Sequence, residues 1–296
     1  MLAVCGGVAA SVLFVPGVVG ANKAAKAVIP SLKVENVDFD VTSLPQKSTM
    51  YARDGSTVIA TFYNQSRIVV PLKKISKTMQ QAVVAREDRR FWTHAGVDVQ
   101  GVMRAFVQTY LVKGSQQGGS SLTQQYVKNV LLMQAIEDDD SIAQYHATED
   151  TIARKIREML ISVQMEKKYS KAEILQGYLN IAQFGNNLYG VETAAQRYFS
   201  VSAADLNVVQ SATIAAITKN PSLYDPLVEE NQKESENQRN IVLKLMLQEG
   251  YITQDQYTEA VNTPLKDTLK VQDVNVGCQD TGDYLSLIHI SEPTRP

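Results

Sequence analysis

The sequence predicts a mainly α-helical protein that has a small β-hairpin element and, before it, an amino-terminal transmembrane helix. Three observations support this fold class. Apolar residues recur at helical spacing from about residue 74 to residue 260. A stretch before them is rich in β-branched and aromatic residues, and residues 1–20 carry no charge. The 296 residues are enough for one large domain with a sizeable core.

The uncharged residues 1–20 predict a transmembrane helix within residues 1–22. A helix of this length covers about 30 Å, the hydrocarbon thickness of a bilayer. A cleaved signal peptide, favoured by small residues at the end of the stretch, and a buried core helix are the alternatives. Because Lys23 and Lys26 follow the apolar stretch and no basic residue precedes it, we expect a cytoplasmic segment upstream of Met1.

The rest of the chain is interpreted as four further segments. Residues 23–50 are interpreted as a linker, residues 51–265 as the main domain, and residues 266–285 as the start of a linker to a further domain. The segment SLIHISEPTRP at residues 286–296 resembles the translation of a sequencing-library adapter, with a natural disordered tail as the alternative. We therefore expect the natural protein to continue beyond Leu285.

Charge and cysteine content narrow the function classes. The formal net charge of −2 gives no reason to expect nucleic acid as a partner. Cys5 and Cys278 lie at opposite ends of the chain without metal-ligand spacing. They therefore indicate neither a metal site nor a particular redox compartment.

Local signals predict where the elements begin. A hairpin is expected in residues 34–63 around the turn at Asp54 and Gly55. Ser121 and Ser170 are predicted to cap later helices, the second in an S-x-x-E capping box. The first helix carries one apolar stripe, formed by Ile75, Met79, Ala82 and Val83. The acidic run at residues 137–140 is expected to be a solvated loop, and the whole acidic segment at residues 137–150 is interpreted as a loop without an assigned role.

The first segment with candidate chemistry is EDRRFWTHAGVD, residues 87–98. Glu87 is predicted to lie near the end of a helix, and the apolar rings of Phe91 and Trp92 follow it. A carboxylate beside apolar rings and a helix carboxyl end is expected to have a raised pKa, which suits a general base. On this segment alone, a surface carboxylate without a function is the alternative.

The second segment is GGSSLTQQYVKN, residues 118–129. Two glycines before a hydroxyl-rich helix start resemble an anion-binding turn, because free backbone amides there face an incoming phosphate. The spacing of a P-loop is absent. Gln124 and Lys128 share a helix face and could hold a polar ligand and a phosphate, with a flexible loop and an exposed lysine as the alternative.

The third segment is ARKIREMLISVQMEKK, residues 153–168. It predicts an amphipathic helix with a buried stripe formed by Ile152, Ile156, Met159, Leu160 and Val163. Arg154 and Glu158 fall on the opposite face. Helical geometry alone favours a solvent-facing ion pair worth about 0.2–0.5 kcal/mol. The alternative is a cation for a diphosphate beside a second functional carboxylate.

In this order, the three segments and ILQGYLN at residues 174–180 resemble the motif series of glycosyltransferase family 51, the peptidoglycan glycosyltransferase domain of class A penicillin-binding proteins. The resemblance covers about residues 50–265. It implies a lysozyme-like α-helical fold with a hydrophobic jaw at the membrane. It also implies a domain on the extracytoplasmic side of the bacterial cell membrane, held by a single span, that polymerises lipid II into β-1,4-linked strands by inverting displacement of undecaprenyl pyrophosphate.

The resemblance assigns roles to individual positions. Glu87 matches the general base that deprotonates the 4-hydroxyl of the acceptor sugar, and Glu158 matches the second essential carboxylate. Lys128 and Arg154 match residues that receive the pyrophosphate. The other matched substrate-binding positions are Asp88, Phe91, Arg104, Gln124 and Gln125.

The resemblance also implies partners. The apolar helical stretch VQGVMRAFVQTYLVKG, residues 99–114, is expected to touch the membrane. Lipid II and the growing lipid-linked glycan chain are the expected substrates, and other cell-wall synthesis proteins are candidate partners. No cofactor is evident from the sequence, and a divalent ion, Mg²⁺ or Mn²⁺, on the substrate diphosphate is a family-level expectation.

Two rival functions remain open on the sequence alone. A muramidase or lytic transglycosylase would use a related fold, but it needs an acid at the glycosidic oxygen and has no use for Lys128 and Arg154 beside a diphosphate. A non-catalytic lipid II-binding scaffold is disfavoured by the presence of both Glu87 and Glu158. The S-x-x-K signature of penicillin-sensitive transpeptidases is absent here, so we expect a separate carboxyl-terminal domain to carry that activity in a bifunctional protein.

Overall fold

The computed structural model describes residues 44–46, 48–62, 65–98, 120–185, 187–272 and 277–278. In this part of the chain the fold is mainly helical, as the sequence predicted. It has two small three-stranded sheets, whereas the sequence predicted a single hairpin. The helices are α1 (Lys77–Glu87), α2 (Leu122–Glu137), α3 (Ser141–Thr148), α4 (Ile152–Lys168), α5 (Lys171–Ile181), α6 (Val191–Phe199), α7 (Val208–Ile217), α8 (Gln232–Gln248), α9 (Gln254–Asn262) and α10 (Leu265–Thr268). The strands are β1 (Ser48–Tyr51), β2 (Val58–Phe62), β3 (Ser66–Arg67), β4 (Gln183–Gly185), β5 (Leu188–Tyr189) and β6 (Gly277–Cys278).

The predicted hairpin is confirmed. Strands β1 and β2 pair antiparallel, with Ser48 opposite Phe62. Gly55 in the turn has a φ of 71°, a left-handed conformation that glycine adopts without steric cost. The Asp54 carboxylate accepts hydrogen bonds from the amides of Ser56 and Thr57, each at 2.9 Å. The short Asp-Gly signal therefore located the turn, whereas the register of the strand pair shifts between Met50 and Tyr51.

A third strand, β6, joins this hairpin. It pairs antiparallel with β2, with Cys278 opposite Ala60. Before it, the amide of Lys270 donates to the carbonyl of Tyr198 at 2.9 Å, so the chain after α10 runs along α6. The segment interpreted as a linker, residues 266–285, thus contributes a strand to the small sheet.

The hydrophobic core lies around α7, which packs against both α1 and α8. All seven residues from Ser211 to Ile217 are buried. The apolar stripe predicted on α1 faces this core, and its four residues are buried as expected. This packing fixes the carboxyl end of α1, where Glu87 lies.

Both predicted helix caps are confirmed. Ser121 begins α2 in a capping box in which Gln124 is the reciprocal partner. Ser170 begins α5 in the same way with Glu173. Each box satisfies two backbone amides that a helix end would otherwise leave unpaired.

The predicted buried stripe of α4 is wrong. Leu160 is 38% exposed, and Met159 and Val163 are only half-buried. The buried face instead carries Arg154, Glu158, Ile161, Ser162 and Met165. The helix was predicted correctly, but its buried face was not. The side that packs against α2 carries Arg154 and Glu158, which satisfy each other by mutual contacts.

The acidic segment at residues 137–150 is not simply a loop, as the sequence suggested, but contains helix α3. The Asp140 carboxylate caps this helix by accepting from the amides of Ile142 at 3.0 Å and Ala143 at 2.9 Å. An aspartate is among the most favourable residues at a helix amino end. Part of the acidic run therefore starts a helix, although its side chains remain exposed.

In the described part of the chain, no helix combines the length and apolarity needed to cross a bilayer. Residues 1–22, for which a transmembrane helix is predicted, lie outside the described residues. The stretch at residues 99–114, predicted to touch the membrane, also lies outside them.

Gly177 on α5 lets this helix pack closely against α2. A Cβ atom at this position would overlap the buried ring of Tyr126. We expect Gly177→Ala to lower the free energy of unfolding by about 1 kcal/mol, because overpacking costs about 1–3 kcal/mol and replacing a helical glycine by alanine returns about 1 kcal/mol. Chemical denaturation measures the change. Tyr126→Leu should relieve the overlap in the double variant, and a single variant at least as stable as the wild type would contradict the close contact.

Candidate functional site

The candidate site lies along helix α2, whose first turn is attached to the segment that follows α1. The Ser121 hydroxyl donates to the carbonyl of Gly96 at 2.6 Å. The backbone amide of Leu122 donates to the Asp88 carboxylate at 3.0 Å. The first two motif segments of the sequence are therefore adjacent in the fold.

The anion-binding turn predicted at this helix start is not free. The Leu122 amide is paired with Asp88, and the Gln124 amide donates to the Ser121 hydroxyl at 3.2 Å. The expectation of free amides is wrong at these two positions, because side chains of the protein already satisfy them. The two glycines of the motif, residues 118–119, lie outside the described residues.

Glu87, at the carboxyl end of α1, is half-buried and held by two donors. Its Oε2 accepts from Gln125 Nε2 at 2.7 Å, and its Oε1 accepts from the Thr218 hydroxyl at 2.8 Å. Gln125 lies on α2, and Thr218 follows the last residue of α7. Both carboxylate oxygens therefore have a defined orientation, which is what a base aimed at one substrate hydroxyl requires.

Tyr178 on α5 fixes the side chain of Gln125, which contacts Glu87. Its hydroxyl donates to Gln125 Oε1 at 3.3 Å. Burial raises the pKa of Tyr178 well above its ordinary value, and the negative charge of Glu87 acts in the same direction. The phenol therefore keeps its proton at neutral pH, fixes the amide orientation of Gln125 and keeps the Gln125 donor directed at Glu87.

A second group of charges lies on α4. Glu158 is 2% exposed, and its carboxylate accepts from the Arg154 guanidinium and from Lys155 Nζ, the latter at 3.3 Å. Arg154 is 8% exposed, and its Nε also donates to the carbonyl of Glu149. Lys155 Nζ donates in addition to the hydroxyl of Ser120 at 3.0 Å. This burial contradicts the solvent-facing ion pair that helical geometry favoured.

Lys128 on α2 belongs to the same group, which we call the cation cluster (Lys128, Arg154 and Lys155 around Glu158). Burial lowers the pKa of Lys128 from its ordinary value of 10.5. The positive charges of Arg154 and Lys155 act in the same direction, whereas Glu158 opposes them. Among the residues that the structure describes, Glu158 is the one buried carboxylate near these three cations, and the other carboxylate close to Arg154, that of Asp150 at 3.9 Å, is fully exposed. The cation cluster therefore has excess positive charge suited to an anion with several negative charges.

Asp88 and Phe91 are buried behind this site. Asp88 accepts from His94 Nε2 at 2.7 Å in addition to the Leu122 amide. Phe91 is fully buried, and Lys171 Nζ lies 4.5 Å from its ring centroid. The contacts of both residues are thus with groups of the protein. The substrate-binding role that the resemblance implies for them stays a prediction.

Gln124 and Arg104 are the two remaining positions at which substrate binding was predicted. Gln124 is buried, its Oε1 accepts from the Ser121 amide at 2.8 Å, and its Nε2 has no hydrogen-bond partner. An unsatisfied buried amide of this kind could be paired by a bound ligand or a water. Arg104 lies outside the described residues.

Sequence reasoning missed Thr218, Tyr178 and Lys155. Tyr178 and Lys155 lie inside the motifs that were singled out, but nothing in the motif letters showed which neighbours they contact. Thr218 is 131 residues from its partner Glu87 and belongs to no recognised motif. Only the packing of α7 against α1 brings the two together, so no local pattern could have indicated this contact.

The chain is similar to known proteins over most of its length. A family model described as Transglycosylase matches residues 55–247. The chain is 39% identical over 221 residues to Penicillin-binding protein 1A of Aquifex aeolicus, which covers 75% of this chain and 28% of that protein. It is 38% identical over 233 residues to Penicillin-binding protein 4 of Bacillus subtilis, covering 78% and 35% of the two chains.

A further relative extends the match. Penicillin-binding protein 1A/1B of Bacillus subtilis is 33% identical over 278 residues, covering 94% of this chain and 28% of that protein. The chain therefore spans about a third or less of the length of these relatives. The matched family range includes Glu87, the cation cluster and Thr218. The chain belongs to the transglycosylase family, the glycosyltransferase family 51 that its motif series indicated.

Proposed function

We propose that this chain is a peptidoglycan glycosyltransferase that polymerises lipid II into β-1,4-linked glycan strands and releases undecaprenyl pyrophosphate. One observation carries the proposal: α2 joins a held carboxylate to a group of cations. Gln125 contacts Glu87, and Lys128, one turn further along α2, belongs to the cation cluster. Transfer of a sugar from a diphosphate needs both elements, a base for the acceptor and positive charge for the leaving group.

The proposed reaction is a single displacement. The Glu87 carboxylate takes the proton of the acceptor 4-hydroxyl, and that oxygen forms a bond to the anomeric carbon of the donor. The bond from this carbon to the diphosphate oxygen breaks, and its electron pair leaves with the undecaprenyl pyrophosphate. Attack from the side opposite the leaving group inverts the anomeric centre. Lys128 and Arg154 stabilise the negative charge that develops on the leaving group, and Glu158 orients Arg154.

Degradation of glycan strands is supported less well. A muramidase or lytic transglycosylase uses an acid that protonates the glycosidic oxygen. Both oxygens of Glu87 accept hydrogen bonds, from Gln125 and Thr218, which suits a proton acceptor better than a proton donor. The cation cluster likewise has no role in a reaction without a charged leaving group.

We also propose that the domain has the lysozyme-like fold of the family and works on the extracytoplasmic face of the cell membrane, held there by a helix within residues 1–22. The apolar character of those residues and the lipid anchor of the proposed substrate support this location. Among the described residues, no group of three or more His, Cys, Asp or Glu could hold a metal ion. We propose that a divalent ion, Mg²⁺ or Mn²⁺, enters on the substrate diphosphate.

Incubation of the protein with purified lipid II in detergent or liposomes tests the function. We expect glycan strands of increasing length and release of undecaprenyl pyrophosphate. Shortening of preformed strands would favour the muramidase or lytic transglycosylase, and binding of lipid II without strand formation would favour the scaffold. Either result contradicts the proposal.

The lowered pKa of Lys128 predicts a pH effect. Because the ammonium form binds the diphosphate, kcat/KM should fall with rising pH, and the fall should be centred below pH 10.5, the ordinary pKa of lysine. Initial rates measured as a function of pH show this limb. Lys128→Arg is the matched control, because a guanidinium keeps its charge and should move the limb to higher pH. An unchanged limb in that variant would assign it to another group.

A further inference from the structure

A buried group of ionisable side chains lies behind the first turn of α2. It consists of Asp88 and His94 from the segment after α1, Glu166 from α4 and Lys171 from the start of α5. Their side chains are 2%, 8%, 7% and 20% exposed, respectively. We call these four residues the anchoring cluster. Glu166 and Lys171 are outside the residues to which the motif resemblance gave a role.

The anchoring cluster holds two consecutive residues of α2 through two buried carboxylates. Glu166 Oε1 accepts from the Thr123 hydroxyl at 2.5 Å and from Lys171 Nζ at 2.7 Å. Asp88 accepts from the Leu122 amide at 3.0 Å. Hydrogen bonds to buried charged groups are stronger and more directional than those between neutral groups. The first turn of α2 is therefore fixed in position and in rotation.

The two carboxylates are connected through His94 and Lys171. His94 Nε2 lies 2.7 Å from Asp88 Oδ2, and its Nδ1 lies 3.5 Å from Lys171 Nζ and 3.9 Å from Glu166 Oε1. The segment after α1 and the helices α4 and α5 thus meet in one network. Buried ionic groups are often no more stabilising than apolar residues of the same volume. Their benefit here is a defined geometry.

The position of the first turn of α2 matters because a rigid helix passes any displacement of that turn on to its later residues. Lys128 lies five residues after Thr123, about 7.5 Å further along the helix axis, and Gln125 lies between them. A shift of the first turn would move Gln125 relative to Glu87 and Lys128 relative to Arg154. Misplacement of reacting groups by about 1 Å can lower a rate about 10²-fold.

We infer that Glu166 and Lys171 are positioning residues for glycosyl transfer: through Thr123 they fix the first turn of α2 and thereby place Gln125 and Lys128 in the site. The inference rests on the proposed function. It concerns a contact that touches neither substrate nor reacting atoms. Because Gln125 orients the base and Lys128 stabilises the charge that develops on the leaving group, loss of the contact should lower kcat for lipid II much more than it changes KM.

The central experiment compares two substitutions of buried glutamates in the full 296-residue chain. Glu166→Gln should lower kcat about 10-fold, with KM within about 2-fold of the wild type. Glu192→Gln is the matched control, because Glu192 on α6 is also a buried carboxylate but accepts from the Ala203 amide at 2.7 Å and from Gln196. It should reduce thermal stability without lowering kcat of the folded protein. An equal loss of kcat in both variants would overturn the inference.

Substitutions at Thr123 test the specific contact. Thr123→Val should lower kcat about as much as Glu166→Gln, and the double variant should be no slower than the slower single variant. The first substitution removes the donor of the hydrogen bond and the second removes the charge of its acceptor, so both weaken the same contact. Thr123→Ser keeps the hydroxyl and should retain the kcat of the wild type. A serine variant as slow as the valine variant, or additive losses in the double variant, would contradict a role for this hydrogen bond.

Amide hydrogen exchange provides a readout that does not depend on activity. Glu166→Gln should accelerate exchange in the first turn of α2, whereas Glu192→Gln should not. Unchanged exchange in Glu166→Gln would overturn the anchor itself. A wild-type protein that forms no strands from lipid II would instead contradict the proposed function, so the two failures are distinguishable.

Discussion

Glu87→Gln is expected to lower the rate of strand formation from lipid II by at least about 10²-fold, the usual contribution of a general base. The substitution preserves the shape of the side chain but removes its ability to take a proton. It also disturbs the local hydrogen bonds, because Gln125 and Thr218 both donate to Glu87 and an amide offers only one acceptor oxygen. Initial rates at saturating lipid II measure the effect.

Binding and folding controls separate the chemical loss from other causes. Lipid II binding by Glu87→Gln should stay close to that of the wild type, because the cation cluster that receives the diphosphate is intact. Glu192→Gln, the same substitution outside the site, should leave the rate unchanged. If Glu87→Gln retained more than about a tenth of the wild-type rate, another group would have to remove the proton.

Much of the fold could be predicted from the sequence because its signals are local. The capping boxes at Ser121 and Ser170 lie within four consecutive residues, and the Asp54–Gly55 turn lies within two. Such patterns depend on the backbone geometry of their own segment, so distant parts of the chain do not alter them. Strand β6 could not be predicted in this way, because its partner β2 lies more than 200 residues earlier.

Helix α4 shows that the spacing of apolar residues does not always identify the buried face of a helix. Its sequence places apolar side chains at helical spacing on one face and a charged pair on another, and a count of apolar residues selects the first face as buried. In the structure the charged face is buried, because Arg154 and Glu158 satisfy each other, and Leu160 remains 38% exposed. Pairing energy depends on neighbouring helices, and the hydrophobic pattern of one helix does not contain that information.

The same limit applies to the candidate site. The order of the motifs identified Glu87, Lys128, Arg154 and Glu158, which the structure places in two groups joined by α2. Thr218, which fixes the orientation of Glu87, could not be identified because its contact depends on how α7 packs. Sequence motifs therefore indicate the candidate residues, and tertiary packing determines the contacts that orient them.

The buried pair of Arg154 and Glu158 is expected to matter more for activity than for stability. Glu158→Leu alone should lower the free energy of unfolding by about 3–5 kcal/mol, because it leaves the buried Arg154 guanidinium without its carboxylate. Lys155 contributes less to this loss, since its side chain is 39% exposed and can be hydrated. Chemical denaturation measures the change.

Adding Arg154→Met to Glu158→Leu should restore most of this stability, because apolar residues of similar volume often replace a buried ion pair without loss. Recovery should be incomplete by about 1–3 kcal/mol, since the Glu149 carbonyl loses its donor Arg154 Nε. The rate of strand formation should not recover. It should stay at least about 10²-fold below the wild type, because the charge that stabilises the leaving group is gone.

Arg239→Met is the matched control for this double variant. Arg239 is also a buried arginine, but it lies on α8 and donates to the carbonyl of Thr263 at 2.7 Å, outside the cation cluster. It should lower stability without lowering the rate of the folded protein. If the double variant stayed as unstable as Glu158→Leu, the pair of Arg154 and Glu158 would be needed for stability. If the double variant polymerised lipid II at the wild-type rate, Arg154 would have no role at the diphosphate. A stable but inactive double variant would mean that these charges are buried for the reaction, because an apolar pair would satisfy the packing of α4 equally well.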